Sequence, residues 1–312
     1  MLPIVERAIR YYRREGFVTT AKLAAIYSGV TLYHRRLGLD SYNKNGINIF
    51  DQDWDNLILL DACRHDFFSE YKSEFNNEIQ SVESRGAATR EFITANFQGS
   101  YPDLVIVSAN GWYIKSSDSI NLECHRIYDC WDNKPSADQV TKAAKVASER
   151  HPNKRLLIHY IPPHHPFVGE TAKQILPDYQ SQLNEAIFER IRRGDIDVTQ
   201  EQIHQCYREE VERAVEHATD LLEQIPGKTV ISSDHGEMLG EKADPFPMSW
   251  YGHMPGLYTD ELVTVPWVES ENGERKSIEE GSTRSRINRE FIREDREEDT
   301  INERLRDLGY KV

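Results

Sequence analysis

Three apolar segments of the sequence end in side chains that can bind a cation or transfer a proton. Residues 56–61 read NLILLD and end in a carboxylate, and the run TVISSDH ends in Asp234 and His235. A third run, LLIHYI, leads through two prolines into His164 and His165. Carboxylates and imidazoles that converge from different strand ends supply the ligands that a divalent cation requires. Such an ion stabilises charge on a transferring phosphoryl or sulfuryl group.

Each of these residues also has a purely structural explanation. An aspartate at the end of a strand often caps the following helix, and a histidine is often a hydrogen-bonded structural residue. The combination is harder to explain in this way. Four of the eleven histidines fall at strand ends, and His253 follows in a Gly- and aromatic-rich loop. The pattern therefore predicts a functional site.

The scaffold predicted around these residues is an α/β fold. Short apolar runs at 56–61, 104–108, 156–161 and 229–233 are typical of parallel strands buried on both faces. Helical patterns alternate with them at 64–75, 88–97, 137–150, 178–192 and 199–225. This order predicts a mostly parallel sheet sandwiched between helices, whose ligands bind beyond the carboxyl ends of the strands.

Composition excludes several classes of protein. The chain has 312 residues, 38% of them hydrophobic, which is enough for a substantial core. Its net charge of −14 argues against nucleic-acid binding, which needs a basic surface. Four cysteines without CxxC spacing, and the lack of an apolar leader or span, predict a cytoplasmic protein with no membrane span.

Charge and hydrophobicity divide the chain into four predicted parts. Residues 1–50 form a basic helical segment, whose first 44 residues carry eight basic and three acidic side chains. This segment either packs on the core or associates with a membrane surface or a partner. Residues 51–268 form the α/β domain, 269–299 a charged flexible segment, and 300–312 a helix that packs on the core.

Five segments, in this order, resemble the alkaline phosphatase superfamily in its sulfatase-like branch. They are NLILLDACRHDF (56–67), HYIPPHHPF (159–167), VISSDHGEMLGE (230–241), YGHMPGLYTDELVTVPWV (251–268) and RLRDLGY (304–310). The resemblance covers about residues 50–268 and the last helix. It implies an alkaline phosphatase-like core and a metal-dependent hydrolase or transferase that acts on phosphate or sulfate esters.

The resemblance also implies roles for individual residues. The implied ligands of one divalent ion per chain, which would be Mn, Zn, Ca or Mg, are Asp61, Asp234 and His235, with Thr89 as the fourth. His253 is implied to contact the substrate or protonate the leaving group. The His-Pro segment supplies a further histidine; the spacing leaves open which of its three points into the site, and we predict catalytic roles for His164 and His165.

The segment that should carry the nucleophile departs from the sulfatase pattern. Sulfatases have Cys/Ser-x-Pro-x-Arg there, whereas residues 84–91 read SRGAATRE, with neither cysteine nor proline. We predict Thr89 as the nucleophile, because a metal and the start of helix 88–97 would both favour its alkoxide. The alternatives are that Thr89 only caps the helix and that Ser84 is the nucleophile.

Arginines near these segments are candidates for binding the anionic group of the substrate. Arg64 lies one turn after Asp61, and Arg85 or Arg90 lies near Thr89. A guanidinium can bind a tetrahedral oxyanion through two parallel hydrogen bonds. We therefore predict that Arg64 is a catalytic residue that binds the anion. Arg85 or Arg90, near Thr89, is a candidate for a second contact to the same anion.

Two hypotheses for function follow. The first is an enzyme acting on an anionic phosphate or sulfate ester, which is free or carried on a glycan or lipid. The alternative is a non-catalytic relative that binds an anionic glycan or a partner. A nucleotide-binding protein is disfavoured, because no GxGxxG or P-loop signature follows the first strand. The sequence leaves open phosphate against sulfate and hydrolysis against transfer.

Overall fold

The computed structural model describes residues 42–114, 120, 122–130, 136–175, 187–193, 196–243, 249–281 and 289–290, with positions 17, 21, 25 and 29. Most of the predicted basic segment 1–50 and the whole of the predicted helix 300–312 therefore lie outside the described residues. Within the described part of the chain, no helix is long and apolar enough to cross a membrane.

The strands of the described chain form one large sheet and one hairpin. They are β1 (Asn56–Leu60), β2 (Gln80–Glu83), β3 (Ser100–Ser108), β4 (Glu123–Asp129), β5 (Arg155–Tyr160), β6 (Gly227–Ser232), β7 (Met238–Lys242), β8 (Ser249–Gly252), β9 (Thr264–Asn272) and β10 (Arg289–Glu290). The large sheet has the order β10-β4-β3-β5-β1-β6-β9-β2. Strands β10 to β6 in this order pair in parallel, and β9 pairs antiparallel to both β6 and β2.

Seven α-helices lie wholly within the described residues. They are α1 (His65–Phe68), α2 (Thr89–Asn96), α3 (Ala137–Arg150), α4 (Glu170–Ile175), α5 (Ile187–Arg193), α6 (Gln200–Leu222) and α7 (Asp260–Val263). The helix predicted over 64–75 is α1 followed by a 3-10 segment, Ser69–Glu74. The helix predicted over 178–192 corresponds to α5 only in its second half, because residues 176–186 lie outside the described chain.

Strand β1 shows why a wholly apolar run forms a strand here. Its side chains alternate between two layers: Ile58 and Leu60 pack in the cluster that includes α3 and α6, and Leu57 and Leu59 pack in the cluster that includes α2. All four are fully buried. Both faces of the sheet are therefore covered, and the predicted fold class, a mostly parallel sheet between helices, is confirmed.

Several elements were not predicted, including β4, β10, α4 and α7. The hairpin of β7 and β8 includes residues that we expected to be an irregular loop before His253. Antiparallel β9 and β2 extend the sheet beyond β6, and β9 runs to Asn272, past the domain boundary predicted at 268. In these segments, polar residues, and a proline in β9, interrupt the alternation of apolar and polar side chains that is typical of a strand. The sequence pattern for a strand is therefore weak there.

The amino ends of the central strands are joined by a network of charged groups. The Asp55 side chain, just before β1, is buried and accepts hydrogen bonds from the Lys228 and Lys276 backbone amides. The Arg275 guanidinium bonds both Asp55 and Asp53, at 2.7 Å in each case. A residue of the predicted flexible segment is thus fixed to the strand that precedes Asp61.

Candidate active site

The pairing of β1 with β6 brings two aspartates together at the carboxyl end of the sheet. Leu59 lies opposite Ser232 in the parallel register, so Asp61 and Asp234 follow two adjacent strands at the same level. The possible ligand atoms of Asp61, Asp234 and His235 all lie within 4.8 Å of one another. The structure therefore groups the three residues that the resemblance implied as metal ligands.

The turn after β1 fixes these carboxylates through its backbone. Ala62 has a φ of 61°, a left-handed conformation that is uncommon for a residue with a side chain. This conformation lets its amide donate to Asp234 Oδ1 at 3.1 Å, while its carbonyl accepts from the Tyr207 hydroxyl at 2.6 Å. Strain of this kind is concentrated at functional sites, where the surrounding contacts hold it in place.

Several polar atoms of this group are buried without a hydrogen-bond partner among the described residues. They are Asp61 Oδ1, Asp234 Oδ2 and His159 Nε2. His159 Nε2 lies 3.7 Å from Asp234 Oδ2, and His235 Nε2 lies 3.5 Å from the same oxygen. Ligand atoms that share one ion at about 2.0–2.6 Å are separated by such distances. The donor set therefore fits a divalent cation.

The remaining polar atoms of these side chains are held by other groups. Asn110 donates to Asp61 Oδ2 at 2.6 Å, and the Tyr113 hydroxyl lies 3.0 Å from His159 Nδ1. His235 Nδ1 lies 2.7 Å from the carbonyl of the next residue, to which it can donate. Metal-binding histidines and carboxylates are oriented by second contacts of this type.

The electrostatics of the group also match a cation site. Burial, together with the charge of Asp234, raises the pKa of Asp61 well above its usual range. Burial lowers the pKa of His235 to about 4, against the attraction of Asp234, and also lowers the pKa of His159. Both imidazoles are therefore neutral near pH 7, which is the form that binds metal. Although burial alone would raise it, the pKa of Asp234 is lowered by the nearby histidines and by hydrogen bonds, so Asp61 is the carboxylate whose charge the protein leaves uncompensated.

Thr89 lies beside this group. It is the first residue of α2 and is buried, and its Oγ1 lies 3.3 Å from His235 Nε2. The N-cap position is occupied by Ala88, so the hydroxyl faces the candidate metal group rather than serving as the cap. Ser84, the alternative nucleophile, donates its hydroxyl to the Asp234 carbonyl at 2.5 Å. The geometry favours Thr89 over Ser84.

A second group of titratable side chains adjoins the first. Ligand atoms of His164, Glu237 and His253 lie within 4.8 Å of one another, and His253 Nδ1 is 3.0 Å from Glu237 Oε1. The His253 ring lies 4.3 Å from the His235 ring and 5.2 Å from the His164 ring, between centroids. The His165 ring lies 4.2 Å from that of His164. The structure thus brings together all the histidines that we predicted to be catalytic.

Arg64 requires a correction. Its Nε and Nη2 donate to the two Asp66 oxygens at 2.9 and 2.6 Å, and its Nη1 donates to Glu241 at 2.5 Å. The same Nη1 donates to the Glu237 carbonyl at 3.3 Å. These donors bind protein acceptors in a buried position, so they do not form the predicted clamp for a substrate anion.

The two other candidate arginines differ from each other. Arg85 donates to the carbonyls of Gly46 and Ala95, which are structural contacts. Arg90 is exposed and lies with its guanidinium carbon 5.9 Å from the centre of the Trp112 ring. Of the predicted pair, only Arg90 lies on an open surface next to Thr89.

Sequence reasoning missed three residues of the site. Glu237 stands two positions after His235, and Asn110 stands two positions after the end of β3, so strand-end position was a usable signal for both. Tyr113 had no such signal. Among the three histidines of the His-Pro segment, the structure places His159 at the aspartates and His164 at Glu237.

Comparisons with known proteins find similarity only at the level of solved structures. No protein-family profile matches the chain, and no curated protein matches it. The soluble domain of lipooligosaccharide phosphoethanolamine transferase A from Neisseria meningitidis is 12% identical over 69% of this chain and 75% of that chain, with a TM-score of 0.44. The C-terminal periplasmic domain of EptC from Escherichia coli, in complex with Zn, is 11% identical over 69% and 72%, also with a TM-score of 0.44.

A sulfatase is also among the similar structures. The sulfatase yidJ from Bacteroides fragilis is 13% identical over 51% of this chain and 34% of that chain, with a TM-score of 0.24. The structural neighbours are therefore phosphoethanolamine transferases and a sulfatase, which belong to the superfamily that the sequence motifs resemble.

The comparison contradicts the predicted cytoplasmic location. The similar structures include periplasmic domains from Escherichia coli and Campylobacter jejuni. The cysteines do not decide the compartment, because all four are free and buried, and a buried thiol is inert in either redox environment.

Proposed function

We propose that this protein is a metal-dependent enzyme that transfers a phosphoryl or sulfuryl group from an anionic ester to water or to an acceptor alcohol, with Thr89 as the nucleophile. The observation that supports this proposal most directly is the convergence of unpaired buried atoms of Asp61, Asp234 and His159 next to the Thr89 hydroxyl.

The residues that would hold the ion are Asp61, Asp234, His235 and Thr89, and His159 Nε2 is positioned to join them. When bound, a divalent ion lowers the pKa of a coordinated hydroxyl and offsets the charge of the transferring group. The ester substrate is free or carried on a glycan or lipid. Within the same proposal, His164, His165 and His253 form the wall against which the substrate lies.

Residues of this chain carry out each step of the proposed reaction. Thr89 Oγ1, as the alkoxide, attacks the phosphorus or sulfur atom, and the bond to the leaving oxygen breaks. The leaving oxygen takes a proton from His253, whose ring orientation is fixed by the Glu237 carboxylate. Water or an acceptor alcohol then attacks the group on Thr89 and gives its proton to His253, while the bond to Thr89 Oγ1 breaks and the alkoxide is restored.

The experiment measures turnover of p-nitrophenyl phosphate, bis-p-nitrophenyl phosphate and p-nitrophenyl sulfate with added Mn, Zn, Mg or Ca. We expect metal-stimulated release from at least one ester. Thr89→Ala should lower the rate by about 100-fold or more, and Thr89→Ser should keep a measurable part of it. Ser84→Ala is the matched control for the alternative nucleophile.

Two results would count against the proposal. A Thr89→Ala variant that turns over at the wild-type rate would exclude Thr89 as the nucleophile. Bound metal without turnover of any ester, even with alcohol acceptors present, would favour a non-catalytic relative that binds an anionic glycan or partner. Mass spectrometry of a quenched reaction should find the transferred group on the peptide that contains Thr89.

A further inference from the structure

The Arg64 guanidinium is buried in a network that the proposed chemistry does not use. Arg64 is 6% exposed and bonds Asp66, Glu241 and the Glu237 carbonyl through its side chain. A buried charge is costly unless its hydrogen bonds are satisfied. The groups that satisfy these hydrogen bonds are therefore the groups whose positions are coupled to Arg64.

One end of the network is fixed to the turn that carries Asp61. The Arg64 amide donates to the Tyr207 hydroxyl at 2.9 Å, and that hydroxyl donates to the Ala62 carbonyl at 2.6 Å. The backbone on both sides of Cys63 is thus held by one tyrosine from α6. Arg64 starts from a rigid position two residues beyond the strained turn.

The other end of the network reaches Glu237 and the hairpin that begins next to it. Glu241, which binds Arg64 Nη1, also accepts from the Leu239 amide at 2.6 Å. The Glu237 carbonyl accepts from the same Nη1, and the Glu237 side chain accepts from His253 Nδ1. One guanidinium is thus connected through a single residue to the ring that we propose as the proton donor.

Gly236 makes this approach possible. A Cβ at this position would lie 2.0 Å from the Glu261 carbonyl oxygen and 3.2 Å from Arg64 Cγ. The arginine stem therefore packs directly against the backbone between His235 and Glu237. The residue that follows His235, a candidate metal ligand, has to be a glycine for both contacts to form.

We propose that Arg64 is a positioning residue, which keeps the Glu237–His253 pair aligned with the group formed by Asp61, Asp234 and His235. This inference rests on the proposed function for its kinetic consequence, but its geometric part stands on the contacts alone. Within the described chain, the hydrogen bonds of the Arg64 side chain go to Asp66, Glu241 and the Glu237 carbonyl, and none of them goes to a side chain of the candidate ion ligands.

Arg208 provides a matched control. Its guanidinium carbon lies 5.2 Å from the centre of the Phe67 ring, and that of Arg64 lies 4.9 Å from the same ring. Arg208 also pairs with two carboxylates, Glu70 and Glu201. It differs from Arg64 in that these partners do not connect it to Glu237.

The kinetic test compares two esters with different leaving groups in Arg64→Gln, Arg64→Lys and Arg208→Gln. Phenolate needs a proton as it leaves much more than p-nitrophenolate does, because it is the stronger base. Arg64→Gln should lower kcat for phenyl phosphate at least tenfold more than kcat for p-nitrophenyl phosphate, with bound metal per chain unchanged. Arg208→Gln should change neither the ratio of the two kcat values nor the metal content. Equal losses on both esters in Arg64→Gln would overturn the proposal.

A second measurement does not depend on turnover. The imidazole NMR signals of His253, assigned with a His253→Gln variant, should shift in Arg64→Gln and stay unchanged in Arg208→Gln. Unchanged His253 signals in a folded Arg64→Gln protein would overturn the positioning role. If wild type turns over no ester while these signals shift as expected, the proposed function fails and the positioning role stands. Arg64→Lys, which keeps the charge, serves in both tests if Arg64→Gln does not fold.

Discussion

The two ends of the central strands treat buried aspartates in opposite ways. At the amino end, Asp55 is 1% exposed and is surrounded by donors from Arg275, Lys228 and Lys276. At the carboxyl end, Asp61 and Asp234 are 2% and 0% exposed, and one oxygen of each has no hydrogen-bond partner in the described chain. The same strands therefore end in two different environments. The described chain supplies hydrogen-bond donors to both oxygens of Asp55, but to only one oxygen each of Asp61 and Asp234.

This difference separates a structural network from a binding site. A buried carboxylate is stable when cations and amides of the chain surround it, as they do at Asp55. At the other end, one oxygen of Asp61 and one of Asp234 have no such donor in the described chain, which favours binding of a cation. This difference supports our proposal that the carboxyl end binds a cation and that the amino end only stabilises the fold.

The largest expected effect is the loss of activity on removing a carboxylate at the carboxyl end. Asp234→Ala should lower kcat/KM for the preferred p-nitrophenyl ester by about a thousandfold or more, because the charge that holds the ion is lost. Asp53→Ala, at the exposed edge of the other network, is the control and should keep near-wild-type kcat/KM. Comparable losses in both variants would remove the distinction between the two ends.

A second prediction concerns stability without metal. Asp55→Asn should lower the free energy of unfolding by about 2 kcal/mol, because it weakens several hydrogen bonds to a charged acceptor. Asp61→Asn should raise it by about 1 kcal/mol in the presence of chelator, because it removes repulsion from Asp234. Urea unfolding at pH 8 measures both.

The pH dependence gives this prediction a further check. The folded-state pKa of Asp61 is raised, so the folded protein holds a proton there more tightly than the unfolded chain does. The stability of the metal-free protein should therefore fall as pH rises through that pKa. The increase in the free energy of unfolding caused by Asp61→Asn should therefore grow over the same pH range. An increase that becomes smaller as pH rises would contradict this explanation.

The glycine between the two groups of the site is expected to have a smaller effect. Gly236→Ala should lower the free energy of unfolding by about 1–2 kcal/mol, because the new Cβ meets the Glu261 carbonyl. Gly99→Ala is the control, since the atom nearest to a Cβ at that position would be 3.8 Å away and the Gly99 backbone is not left-handed. Thermal unfolding of both variants distinguishes local crowding from a general cost of adding a methyl group.

The smallest expected effect is that of Arg275→Gln, because Arg275 is 45% exposed and exposed ion pairs contribute less than about 1 kcal/mol. Although burial alone would raise it, the pKa of Asp55 is lowered overall by hydrogen bonds from Arg275 and two amides. The stabilisation is therefore present above the unfolded-state pKa and is lost as pH falls through the folded-state value. The deficit of Arg275→Gln should be measurable by urea unfolding at pH 7 and should vanish at low pH; a deficit that persists there would exclude Asp55 as its source.

The sequence predicted the features that follow from local pattern. Buried parallel strands are apolar runs, so β1, β5 and β6 were visible, and Asp61 and Asp234 were visible because they end such runs. Thr89 was predicted as the nucleophile from the sulfatase resemblance of residues 84–91 and from its position at the start of a helix. The predictions of the strands and of the two aspartates need only neighbouring residues.

Other features depend on contacts between distant parts of the chain. Arg64 was expected to face a substrate anion, but its partner Glu241 lies 177 positions away in the sequence. The spacing could not show that His159, rather than His164, lies at the aspartates, because Tyr113 and the register of β5 decide it. The β7–β8 hairpin and β9 were missed since their polar and proline residues interrupt the strand pattern.

The central claim is that the carboxyl end of the sheet holds a divalent cation and the amino end does not. The most direct measurement is elemental analysis of metal in protein purified without chelator, for wild type, Asp234→Asn and Asp55→Asn. We predict about one metal per chain in wild type and in Asp55→Asn, and none in Asp234→Asn. A wild-type protein without metal, or an Asp234→Asn protein that keeps it, would contradict the account.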